Sequence, residues 1–87
     1  MVSKQITVVI ENSLHSQFYQ AFVQMAGQFV SDIKIVRHQK TINAKSLMGF
    51  LSLGITDGNV VTIKAEGTDE KEAVECLSRI LKGEEPL

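Results

Sequence analysis

Apolar residues in this chain switch repeatedly between a spacing of two and a spacing of three or four, and that alternation restricts the fold more than any single motif does. Residues 5–10 are mostly β-branched, with Ile6, Val8 and Ile10 on one face, which predicts a strand. Glu11, Asn12 and Ser13 break the pattern, and Tyr19, Phe22, Val23, Ala26 and Phe29 or Val30 then follow at helical spacing, predicting a helix over residues 16–28. Ile33, Ile35 and Ile42 alternate with polar neighbours around Arg37-His38-Gln39, the layout of a hairpin that lacks the usual Asn-Gly turn. Ser46 has the chemistry of an N-cap for a short helix ending at Gly54. That helix is too short to bury every apolar side chain, so Met48, Phe50 or Leu51 is expected to stay partly exposed as a docking patch. Asp57-Gly58-Asn59 is a turn, and residues 60–65 form a fourth strand with Val61, Ile63 and Ala65 on one face. Asp69 and Glu72 have capping-box spacing ahead of a last helix whose stripe is Ala73, Val74, Leu77, Ile80 and Leu81. The order β-α-β-β-α-β-α predicts one α+β domain over residues 1–87, an antiparallel sheet covered on one face by helices.

Composition removes several classes of function. At 87 residues with a formal charge of −1 and interspersed signs, the chain has no electrostatic footprint for nucleic acid or an anionic membrane. Cys76 is a single cysteine and forms no intramolecular disulfide; partial burial at the edge of the last helix is its expected state. The N-terminus lacks the regions of a secretory signal, and no apolar run approaches the roughly 20 residues that span a bilayer. A cytoplasmic protein without membrane insertion is the expectation, with residues 83–87 as a frayed tail. His38 reads as a solvated turn residue, and no ligand set for zinc accompanies it. Asn43-Ala44-Lys45-Ser46 looks like the end of a P-loop but lacks the upstream glycine. No catalytic triad or carboxylate pair is present, so neither a metal nor a cofactor is expected.

The chemistry concentrates in residues 12–20, where His15 stands just ahead of the first helix. A helix start offers unpaired N–H groups and the positive end of the helix dipole, so a group on His15 that became anionic would be stabilised there. That points to phosphate on His15, accepted by a neutral imidazole with one ring nitrogen exposed. Ser46, read from its chemistry alone, is the N-cap of the second helix.

Residues 43–49, Asn-Ala-Lys-Ser-Leu-Met-Gly, with Leu51-Ser52-Leu53-Gly54, Leu14-His15 and Ala65-Glu66-Gly67 before Asp69-Glu70, carry a resemblance over the whole chain. The chain resembles HPr, the histidine-containing phosphocarrier family of the bacterial sugar phosphotransferase system. The resemblance implies an open-faced β-sandwich of four antiparallel strands and three helices. It implies a phosphoryl carrier rather than a free-standing enzyme: His15 accepts phosphate from phosphorylated Enzyme I and passes it to a sugar-permease component of EIIA type. Ser16 and Gln17 would position the phosphate, and Leu47, Met48 and Leu51 would dock the partners. Ser46 would be the regulatory site of an HPr kinase/phosphorylase, with a catabolite-control transcriptional repressor as a further partner. Typical members read Gly-(Leu/Ile)-His-Ala-Arg-Pro where this chain reads Ser13-Leu14-His15-Ser16-Gln17-Phe18. Replacing a charged guanidinium fork by a neutral amide at Gln17 removes about 1–2 kcal/mol of phosphate stabilisation. Expressed in the transition state, that slows transfer roughly 5–30-fold. Phe18 and Tyr19 are expected to add aromatic bulk near the site. The alternative implied by the same resemblance is a catabolite-repression HPr-like (Crh-type) regulator, which keeps the serine and has lost the phosphorylatable histidine; this chain keeps His15 but has an altered flank.

Overall fold

The computed structural model describes residues 1–10 and 15–83, the side chains of residues 15–17 excepted. Among these residues the order is β1 (Val2–Thr7), α1 (His15–Ala26), β2 (Asp32–Arg37), β3 (Lys40–Asn43), α2 (Leu47–Ser52), β4 (Val60–Glu66) and α3 (Glu70–Leu81), which is the expected succession. The strands form one antiparallel sheet ordered β1-β4-β2-β3. Register follows burial: Ile6 lies opposite Val61, Ile35 opposite both Ile63 and Ile42, and Ile33 opposite Ala65, so the apolar residues share one face. The helices pack on that face. Gln5, Thr7, Thr41 and Lys64 are exposed on the other, giving the open-faced α+β sandwich.

The β2–β3 hairpin closes through His38 and Gln39 with Arg37 opposite Lys40. His38 takes the left-handed conformation (φ 55°) that a two-residue loop demands, without glycine, and is exposed as expected.

Ile6, Val8 and Ile10 are all buried as their alternation predicts, but the β1 ladder ends at Thr7 instead of running to Ile10. Beyond Thr7 the backbone finds other partners. Val8 N–H donates to the Asn59 carbonyl at 2.7 Å, the Val8 carbonyl accepts from Gly58 N–H at 2.8 Å, and Val9 N–H donates to the Leu81 carbonyl at 2.8 Å. Ile10 N–H donates to Asp57 Oδ1 at 2.9 Å. The residues leading toward the histidine are thus pinned between a turn and the end of α3.

The core is centred on aromatic rings. Phe22 and Phe50 stack with centroids 4.6 Å apart, and Phe18 and Tyr19 meet Phe50 at 6.1 and 5.4 Å. Phe50 is therefore buried, which removes it from the residues expected to be exposed on α2. Phe18, only 2% exposed, also faces the core and adds no bulk to the surface.

Asp69 occupies the N-cap position of α3 but makes no side-chain cap. Its carboxylate instead accepts from Val30 N–H at 2.9 Å, Ser31 N–H at 3.0 Å and the Ser31 hydroxyl. Ser31 is buried at the α1–β2 corner, where those donors would otherwise go unsatisfied. Glycine at 67 is required beside this corner, because a Cβ there would lie 2.7 Å from Ser31 Cα. Glu70 accepts from Gly67 N–H at 3.2 Å, which with the nearby Met1 ammonium lowers its pKa. Of the tail expected over residues 83–87, only Gly83 falls within the described residues.

Two outcomes follow from this packing. Phe50→Ala is expected to destabilise the fold by about 3–5 kcal/mol in urea unfolding, since it removes the ring that three other aromatic side chains contact. The Ser31 hydroxyl, and then Val30 N–H, hold the Asp69 carboxyl below its ordinary pKa. Its stabilising contribution is complete above the unfolded-state value and is lost as pH falls through the lower folded-state value. Unfolding midpoints measured across the acid range should accordingly fall less steeply in Asp69→Asn than in the parent, with a lower plateau at neutral pH.

Candidate functional site

His15 is the first residue of α1 rather than the residue ahead of it. The helix start is placed by the residues one turn on. Phe18 and Tyr19 both contact Phe50 on α2, and the Tyr19 hydroxyl donates to the Ile55 carbonyl at 2.8 Å. The beginning of α1 therefore lies against α2. The side chains of His15, Ser16 and Gln17 lie outside the described residues, as does the stretch from Glu11 to Leu14.

Ser46 caps α2 as its sequence predicts: the backbone is extended (φ −104°, ψ 116°) and Oγ accepts from Gly49 N–H at 3.1 Å. A Cβ at Gly49 would come within 3.3 Å of that oxygen, so glycine leaves the hydroxyl uncrowded. Ser46 is half-buried.

On the outer side of α2, Leu47, Met48 and Leu51 are 39%, 78% and 44% exposed, and Leu51 neighbours both Leu47 (four residues back) and Met48 (three back) on the helix surface. Phe50 points the other way into the core. The three residues expected to dock partners thus form a continuous apolar ridge next to the start of α1. Flanking cations are held by backbone carbonyls. Lys45 Nζ donates to the Phe29 carbonyl at 2.7 Å, beyond the C-terminus of α1. Lys40 Nζ donates to Ser52 at 2.9 Å and Arg37 Nη1 to Leu53 at 2.6 Å, where the unpaired carbonyls and negative dipole end of α2 favour positive charge.

Two long-range side-chain hydrogen bonds beside the candidate site have no counterpart in the sequence pattern. Tyr19 belongs to the apolar stripe by its spacing, and its hydroxyl bond to a residue 36 positions away has no local signal. Asp57 was read as turn chemistry, yet its carboxylate reaches a backbone N–H 47 residues earlier. Among the described residues no three His, Cys, Asp or Glu side chains gather as a metal site would require, and no helix is long and apolar enough to cross a membrane.

Comparison with known proteins agrees with this architecture. The family described as "PTS HPr component phosphorylation site" matches residues 2–83. Phosphocarrier protein HPr of Buchnera aphidicola subsp. Schizaphis graminum is 43% identical over 81 residues, which are 93% of this chain and 95% of that one. HPr-like protein Crh of Halalkalibacterium halodurans is 42% identical over 84 residues, 97% of this chain and all of the other. Among solved structures, HPr-C-His from Thermoanaerobacter tengcongensis superposes with a TM-score of 0.90 at 39% identity, each chain covered completely. Similarity in sequence and in fold over essentially the full length shows that the chain belongs to the HPr family of phosphotransferase-system phosphocarriers, which also includes the Crh-type relatives.

Proposed function

We propose that this chain, as a single cytoplasmic domain, carries a phosphoryl group on His15, taking it from phosphorylated Enzyme I and delivering it to a sugar-permease component of EIIA type. The observation that supports this best is the retention of histidine at the first position of α1, beside the apolar ridge of α2. In the transfer, a lone pair of the neutral imidazole attacks phosphorus and the N–P bond forms. The bond from phosphorus to the donor breaks, and the donor keeps that electron pair. The first-turn N–H groups of α1 and the helix dipole favour the dianionic product. Ser16 and Gln17 follow within that turn and are assigned to positioning the phosphate. Leu47, Met48 and Leu51 are assigned to seating Enzyme I and the acceptor, a role suited to exposed apolar side chains with no charge between them.

Ser46 is assigned a regulatory role as substrate of an HPr kinase/phosphorylase. Phosphate on its Oγ would add about two negative charges beside the ridge and repel acidic partners. A second reading is supported by the nearly equal identities to an HPr and to a Crh protein, together with the uncharged Gln17. In that reading the chain is a catabolite regulator, bound by a transcriptional repressor when Ser46 is phosphorylated, with weak or no transfer through His15.

The test is incubation with Enzyme I and phosphoenolpyruvate, and separately with HPr kinase and ATP, followed by intact-mass measurement at alkaline pH. Acid-labile added mass from Enzyme I is the expected result, because phosphohistidine is acid-labile. Acid-stable mass from the kinase alone would replace the carrier with the Ser46 regulator. In the same assay Gln17→Arg is expected to raise the rate of phosphate uptake roughly 5–30-fold by restoring a charged fork of donors. An unchanged rate would show that residue 17 does not limit the transfer.

A further inference from the structure

Residues 55–59 touch the chain on both sides of the histidine. Upstream, Asp57 Oδ1 accepts from Ile10 N–H at 2.9 Å, while Gly58 and Asn59 exchange backbone hydrogen bonds with Val8 at 2.8 and 2.7 Å. Downstream, the Ile55 carbonyl accepts from the Tyr19 hydroxyl at 2.8 Å, one helical turn after His15. The turn is itself fixed from within. Asn59 Oδ1 accepts from both Thr56 N–H (2.8 Å) and Thr56 Oγ1 (3.1 Å), and Asn59 N–H donates to the Thr56 carbonyl at 3.1 Å. Ile55 is buried in the core, so the turn is joined to the rigid part of the molecule.

We infer that residues 55–59 form the positioning element for His15, with Asp57 and Tyr19 as its two positioning residues. The inference rests on the phosphocarrier reading and deepens it. In-line attack by a ring nitrogen requires placement well within an ångström, and group transfer slows steeply when the nucleophile is displaced. The histidine-bearing segment has one fixed end at Ile10, and its other end is set by the rotation of α1 about its own axis. The Tyr19 hydroxyl controls that rotation, because it ties one face of the first turns to Ile55. The Tyr19 ring packs against Phe18 and Phe50, and removing the hydroxyl alone tests its bond to Ile55 with that packing kept. Both ends are held from one short turn.

The experiment measures phosphate uptake from Enzyme I with saturation kinetics, together with the pKa and linewidth of the His15 imidazole by ¹⁵N NMR. Tyr19→Phe and Asp57→Ala are each expected to lower the maximal rate roughly 3- to 10-fold with KM little changed, the size of one lost hydrogen bond. Both should broaden the His15 ring resonances. Asp57→Asn should restore the rate and the linewidth, because an amide oxygen still accepts from Ile10 N–H. Ile80→Val, a core change in α3 that touches neither anchor, sets the effect of lost stability alone and should leave rate and linewidth at the parent values. Parent-like kinetics and resonances in Tyr19→Phe and Asp57→Ala would overturn the inference, as would an equal loss in Ile80→Val. If the parent takes no phosphate on His15, the carrier reading fails. The NMR comparison still decides whether these residues position the ring.

Discussion

The contact on which the arrangement of the site depends is the packing of Phe50 beneath α2. A six-residue helix is far too short to persist in water by hydrogen bonding alone. Phe50 supplies the tertiary anchor by stacking on Phe22 and meeting Phe18 and Tyr19, so the same ring fixes α2 to the core and α2 to α1. Caps complete the helix. Ser46 satisfies a donor at one end, and Arg37 and Lys40 satisfy acceptors at the other. Only with Phe50 turned inward can Leu47, Met48 and Leu51 turn outward together, so the exposed ridge is a geometric consequence of the buried ring.

Much of this was legible because strong periodicity and burial coincide. Val61, Ile63 and Ala65 on β4, and Ala73, Val74, Leu77, Ile80 and Leu81 on α3, face inward as their spacing predicts. Where the reading failed, a long-range contact had displaced a local one. The end of β1 could not be found from alternation, because Val8 and Ile10 keep the buried face while their backbone bonds leave the ladder for the turn at 57–59. Asp69 and Glu72 have the spacing of a capping box, but a buried corner with two N–H groups and a hydroxyl offers the carboxylate more than the helix end does. Six residues are too few for period to separate Phe50 from Met48 and Leu51, so the inward ring was not distinguishable from its neighbours.

The candidate site divides along the same line. His15 and Ser46 were legible because each belongs to a short motif whose residues sit at the start of a helix. Their supports were not, since Tyr19, Asp57 and Lys45 act on backbone groups that only the tertiary fold brings near. A hydrogen bond from a side chain to a remote carbonyl leaves no pattern in a single sequence. The backbone half can belong to almost any residue, and only the side-chain half is constrained.

The altered flank of His15 separates into two kinds of change. Phe18, where typical members carry proline, is spent on the core: it is buried against Phe22 and Phe50 and presents nothing to a partner. Tyr19 is spent on anchoring α1. Both rings meet Phe50, so the pair attaches the helix that bears the histidine to α2. Gln17 is different: if His15 carries phosphate as proposed, the missing permanent charge acts directly on that anion, and packing elsewhere along the helix does not supply it.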